Sequence, residues 1–178
     1  LNKNEKIVFG NDEGSFEINQ NNLIPLKVNI SDDFKKFTNP EGSSDGRKVF
    51  FSIKENDTTN VYIMNTDGSD KIKLSNIPSI EPFSRWSSDN KKIVFSSNDP
   101  TLSRSSLYIV NSDGSNLVRL TNDKFNYMNP SFSPDGTKIA FLSDKDSESL
   151  NQFRGKTFYP YVMNSDGSGL KRLITDKN

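Results

Sequence analysis

Three near-copies of one short motif constrain this chain more than any other feature. "IMNTDGSDKIKL" occupies 63–74, "IVNSDGSNLVRL" 109–120 and "VMNSDGSGLKRL" 162–173. Their turn aspartates, Asp67, Asp113 and Asp166, fall 46 and 53 residues apart. A second series is interleaved with the first: "KIVF" at 6–9, "KVFF" at 48–51, "KIVF" at 92–95 and "KIAF" at 138–141. The last three members are preceded by "SSDGR" at 43–47, "SSDNK" at 87–91 and "SPDGT" at 133–137. A period of about 40–45 residues marks one supersecondary unit stacked on its copies.

Each unit reads as four short strands. Strand A is visible as "SRW" at 84–86 and "PSF" at 130–132, and strand B is the KIVF segment. Strand C is "NVYIMN" at 60–65, "SLYIVN" at 106–111 and "YPYVMN" at 159–164. Strand D follows as "KIKL", "LVRL" or "LKRL". The apolar residues are β-branched and aromatic, and turn chemistry bounds every run. Strand D alternates apolar and basic residues, as an outer strand with one wet face should. The Asp-Gly pairs supply the positive φ that tight hairpins need, and the flanking Asn and Ser can bond the turn backbone. Hairpin chemistry therefore accounts for the repeated motif without a ligand.

The combined pattern "NPSFSPDGTKIAFLSD" at 129–144 with "YVMNSDGSGLKRL" at 161–173 resembles the WD40-like repeat of TolB-type propellers. The resemblance is strong over about 38–175 and weak over 5–30. Gly42 departs from it by replacing the aromatic seen at Trp86 and Phe132, and Asn90 by replacing the turn Gly. The expected fold is all-β: one propeller domain over 1–178, with blades near 5–30, 38–75, 82–121 and 129–175. Each blade is a four-stranded antiparallel sheet, except that nothing before Lys6 serves as the innermost strand of the first. The resemblance implies a ring of six blades, which this length cannot build. A piece of a larger ring, a four-bladed ring, and half a ring completed by a second copy all stay open. The chain opens on Leu1 rather than Met, so removal of an upstream segment is expected.

Composition narrows the chemistry. The 23 basic and 23 acidic residues cancel, so there is no bulk attraction for nucleic acid or anionic lipid. Without Cys there are no disulfides, thiolate metal sites or cysteine nucleophiles. Without His the commonest general base and most catalytic zinc sites are gone. No apolar run reaches the roughly 18 residues of a membrane helix. No Gly-rich phosphate loop leads a strand into a helix. Catalytic residues, metal ligands and cofactors are accordingly assigned to none.

Propeller geometry puts the A–B and C–D turns on one face of the disc and the B–C loops and D–A connections on the other. Recognition belongs on the variable face. The last B–C loop, "SDKDSESLNQFRGKTF" at 143–158, is the longest and offers Phe153 and Arg154 to grip a partner, with a solvated insertion as the alternative. The connection "NDKFNYMNP" at 122–130 adds Phe125, Tyr127 and Met128, at least one of which is expected to pack between blades. On strand A, Glu41, Arg85 and Ser131 hold equivalent positions along the channel, where Glu41 and Arg85 serve recognition or pair with each other. Asp144, Asp146, Ser147 and Glu148 space oxygen ligands as a calcium site would. They lack the Gly and distal Glu of an EF-hand loop, so a charged loop tip is the preferred reading and calcium the alternative. The lone Trp86 is expected in the core between blades.

The leading expectation is a non-enzymatic module that binds a protein or peptide at the channel mouth, with self-association through incomplete propeller ends as a further expectation. By resemblance it would sit in the bacterial periplasm or outside the cell. The competing expectation is a non-catalytic propeller domain of a larger enzyme, either a prolyl-oligopeptidase-type peptidase or a carbohydrate-active enzyme.

Overall fold

The structure, a computed structural model, describes residues 7–11, 14–19, 22–25, 37–55, 58–74, 83–99, 104–147 and 157–174. It is all-β, with no helix among the described residues. Blade one is a three-stranded sheet of β1 (Ile7–Asn11), β2 (Gly14–Asn19) and β3 (Asn22–Pro25). Blade two runs β4 (Phe37–Gly42), β5 (Lys48–Glu55), β6 (Thr58–Asn65) and β7 (Ile72–Leu74). Blade three runs β8 (Ser84–Trp86), β9 (Lys92–Asp99), β10 (Arg104–Asn111) and β11 (Val118–Arg119). Blade four runs β12 (Tyr127–Phe132), β13 (Lys138–Ser143), β14 (Tyr159–Asn164) and β15 (Lys171–Arg172). Every pairing is antiparallel between consecutive strands, and the first blade has no inner strand A among the described residues.

The turns explain why these sequences become hairpins. In the C–D turn of blade two the Gly68 amide donates to the Asn65 carbonyl, and the Asn65 amide to the Ser69 carbonyl, both at 2.9 Å. That is a three-residue loop ending on a left-handed Gly68, at φ +87°. Asp67 accepts from the Ser69 amide and hydroxyl at 2.9 and 2.6 Å. Asn65 donates to the same hydroxyl. The bonds recur at Asn111–Asp113–Ser115 and Asn164–Asp166–Ser168.

The B strand of blade three lies inside, with a sheet packed against each side, so it reads as a continuous apolar run rather than an alternating one. Ile93, Val94 and Phe95 are all fully buried. Successive side chains serve opposite interfaces. Phe50, Val61, Ile63 and Leu74 of blade two meet Ile93, Phe95 and Val110 of blade three, with the Phe50 and Phe95 rings 5.1 Å apart. On the other side of blade three, Val94, Leu107 and Ile109 meet Tyr127, Ile139, Phe141, Tyr161 and Met163 of blade four. Trp86 joins the first of these clusters and its indole N–H donates to the Glu41 carbonyl of blade two at 2.8 Å. Gly42 holds the equivalent place one blade earlier, and a Cβ there would meet nothing within 4 Å. Blade one has no inner strand among the described residues for an aromatic at 42 to reach. On the far side of blade four, Ala140 and Leu173 are exposed, and Ile174, next to Leu173 in the chain, is exposed as well.

Candidate functional site

The turn face is hydrogen-bonded to itself. Within each four-stranded blade the C–D turn is tied to the A–B turn: the Thr66 amide donates to the Arg47 carbonyl, Ser112 to Lys91 and Ser165 to Thr137, at 2.8–2.9 Å. Between blades, the Ser44 amide and hydroxyl donate to Asn90 Oδ1, and the Ser88 hydroxyl donates to the Pro134 carbonyl. The turn carboxylates are committed as well. Hydroxyls of Ser69, Ser115 and Ser168 hold Asp67, Asp113 and Asp166 below the usual carboxylate range. Ser133, helped by Thr137, holds Asp135 at about 2.

The opposite face carries a different network, built where the D–A connection entering blade four meets the start of its B–C loop. The buried Asp144 accepts from the Asn126 amide and from Asn126 Nδ2, each at 2.7 Å. Asn126 Oδ1 in turn accepts from the Ser105 amide of blade three. Asp123 accepts from the Tyr127 hydroxyl at 2.7 Å and pairs with the Lys145 ammonium at 3.0 Å. Burial raises the Asp123 pKa, but hydrogen bonds from Tyr127, Lys145 and the Phe125 amide outweigh it, leaving the carboxyl below its usual value. Burial, then the Asp123 carboxylate, pushes the Tyr127 phenol up. The Lys145 ammonium also lies 4.9 Å from the centre of the Phe125 ring. A cleft of about 320 Å³ runs from Asp123 between blades three and four, walled by Leu120, Met163 and Leu170.

The structure sorts the residues singled out from sequence. Phe125 and Met128 are half-buried on this face, Phe125 packed against the interface between blades three and four. Tyr127 is a correction: it is 1% exposed, its ring 5.6 Å from that of Phe141, so it belongs to the core and not to a recognition surface. Phe153 and Arg154 lie outside the described residues. Glu41 and Arg85, on the inner strands of neighbouring blades, pair at 3.3 Å with the arginine more than half exposed. Burial raises the Glu41 pKa and the guanidinium offsets this only in part. Ser131, at the matching place in blade four, is exposed.

Of the residues considered for calcium, Asp144 is occupied by Asn126, Asp146 lies 3.7 Å from Arg172, and Ser147 accepts from the Thr157 amide. Glu148 lies outside the described residues. Among the described residues no three acidic groups converge as a cation would require.

Sequence reading missed Phe83, which is 51% exposed just before β8. The signal was present, since Phe83 stands where the repeat places Asn39 and Asn129 in the blades on either side.

Comparisons with known proteins bear on this geometry. A family model described as the TolB beta propeller domain matches residues 15–147. TolB from Acinetobacter baumannii superposes on 94% of this chain with a TM-score of 0.66 at 18% identity, and this chain spans 40% of it. A TolB described as putative, from Agrobacterium tumefaciens, superposes on 90% with a TM-score of 0.63 at 20% identity, 56% of its length being spanned. The tricorn protease superposes on 89% of this chain with a TM-score of 0.62 at 12% identity, over 16% of its own length. The uncharacterized peptidase YuxL of Bacillus subtilis (strain 168) is 39% identical over 61 residues, 34% of this chain and 9% of that protein. The chain thus spans only a minor part, or little more than half, of these proteins.

Proposed function

The chain belongs to the TolB β-propeller domain family, and from that membership we propose that it is a non-enzymatic recognition module of a bacterial envelope or secreted protein, binding a protein or peptide across the channel mouth. The observation that carries this reading is the asymmetry of the two faces. The turn face of the three four-stranded blades spends its turn hydroxyls and aspartates on itself. The opposite face exposes Phe83, with Arg85 along the inner wall and Phe125 flanked by Lys145 nearby. Exposed aromatics and arginine are the side chains that dominate binding energy at protein interfaces.

The test compares the two faces. Phe83→Ala combined with Arg85→Ala should weaken capture of the chain's partner from an extract of the source cells by about 1 kcal/mol or more. The melting temperature should stay near that of the wild type, because both side chains are more than half exposed. Asp113→Ala should lower stability and leave the affinity of the folded fraction unchanged. Equal binding by the channel variant, with lost binding by a folded turn variant, would refute the assignment of faces.

A second reading is supported by the YuxL match and the tricorn superposition: this propeller as a non-catalytic domain of a larger peptidase. Under it, Phe83→Ala with Arg85→Ala would alter hydrolysis of long peptides by the whole enzyme, and no stable partner would be captured.

A further inference from the structure

Equivalent positions in the three four-stranded blades meet different surroundings, and the difference isolates one face. In blade two, Phe50, Val61, Ile63 and Leu74 point at blade three and are buried. In blade three, Val94, Leu107 and Ile109 hold three of those places and are buried by blade four. In blade four the same places fall to Ala140, Pro160, Val162 and Leu173. Ala140 is exposed, Pro160 and Val162 are half-buried, and Leu173 is 54% exposed with Ile174 beside it at 59%. The strands that build two buried interfaces thus build a third apolar face that no described residue covers.

The other end of the array holds the matching pattern. The side of each blade that receives its predecessor presents one cross-strand set: Ile93↔Val110 and Phe95↔Tyr108 in blade three, Ile139↔Met163 and Phe141↔Tyr161 in blade four. Blade one repeats it by register, as Ile7↔Ile18 and Phe9↔Phe16. With 23 basic and 23 acidic residues, two copies carry no net repulsion.

We propose that the open face of blade four docks the first blade of a second copy of this chain, so that copies join head to tail through a repetition of the internal blade interface. Such a contact is heterologous, and growth ends only when the copies close into a ring. The proposal is independent of the channel-mouth reading, because it uses the flat side of a blade and none of the residues assigned there.

Sedimentation velocity of the 178-residue chain, from micromolar to sub-millimolar concentration, tests it. The expected result is a concentration-dependent shift to larger species. Ala140→Glu, and separately Leu173→Lys with Ile174→Lys, should each raise the dissociation constant tenfold or more. Their melting temperatures should hold, since these side chains already face water. Mixing the lysine variant with Phe9→Glu should restore a pair and nothing larger, because each retains one working end. A wild-type chain that stays monomeric while folded overturns the proposal and leaves the face to a further blade of a longer polypeptide. Association indifferent to both blade-four variants overturns it as well.

Discussion

Gly68, Gly114 and Gly167 share one turn conformation, at φ +87°, +81° and +90°, but they do not share a neighbourhood. A Cβ at Gly68 would meet nothing within 4 Å, whereas one at Gly167 would stand 3.3 Å from Leu120 Cδ2. At Gly114 it would fall 2.9 Å from Cγ2 of Ile72, in the preceding blade. Left-handed backbone alone costs an alanine roughly 1 kcal/mol. The stiff β-branched Ile72 cannot swing away cheaply, which adds about 1–2 kcal/mol of overpacking. Urea unfolding should rank the alanine variants Gly114, Gly167, Gly68 in falling order of damage; equal losses would mean that the turns do not touch the neighbouring blade. The left-handed glycines were legible in sequence because Asp-Gly chemistry is local, but this ranking was not, since it depends on which blade lies behind each turn. The same turns predict acid behaviour. Asp135, held at about 2, binds its proton later in the folded chain than in the unfolded one, whose carboxyl titrates near ~3.9. Its stabilising contribution is therefore complete above about pH 4 and lost as pH falls toward about 2. The other turn aspartates shift the same way. A carboxylate titration followed by NMR should put the Asp135 midpoint well below those of unbonded aspartates, and Asp135→Asn should flatten the acid limb of the stability curve.

Among the elements, strand A is longer than its sequence suggests, and the reason is specific. "NPSF" begins with Asn-Pro, which reads as a turn and puts Tyr127 in a connection. The strand in fact continues through a bulge: β12 pairs Tyr127↔Ser143 and Met128↔Leu142, shifts register, and resumes at Ser131↔Ala140. Asn129 takes φ +51° within the bulge, and Pro130 needs no amide partner there. Blade two does the same between Thr38 and Glu41, around Asn39-Pro40. The bulge carries the chain past the proline and sends Tyr127 into the core. Strands B and C, by contrast, are legible because β-branched and aromatic residues run through them between turn signals. Trp86 shows how strand A ties blades together beyond its own sheet. Trp86→Phe keeps most of the ring packing and removes the bond to the Glu41 carbonyl, at an expected cost of roughly 1–2 kcal/mol. Phe132, which does the equivalent packing without an indole N–H, indicates that the variant should still fold. An unchanged unfolding midpoint would mean that the indole bond contributes nothing net.

For the molecule as a whole, the blades form a short array in which stability is the sum of each sheet and its nearest-neighbour contacts. The four-strand period was readable in the sequence because the turns repeat, whereas ring closure was not, because it depends on the rotation between blades and on what meets the last face. Blade three is packed on both sides, its Ile93, Phe95 and Val110 against blade two and its Val94, Leu107 and Ile109 against blade four. Among the described residues blade four has only the second of these interfaces, and its Ala140, Leu173 and Ile174 are exposed. Local opening should follow that difference. Native-state hydrogen exchange should find the amides of β9 and β10 the most protected, opening only with global unfolding. Those of β14 and β15 should open through a smaller, sub-global event. Raising the protein concentration should slow exchange in β13 and β14 and leave β9 unchanged if a second copy covers the open face. Protection that is uniform across blades three and four would mean that blade four is held by something other than its one interface, and the array description would fail.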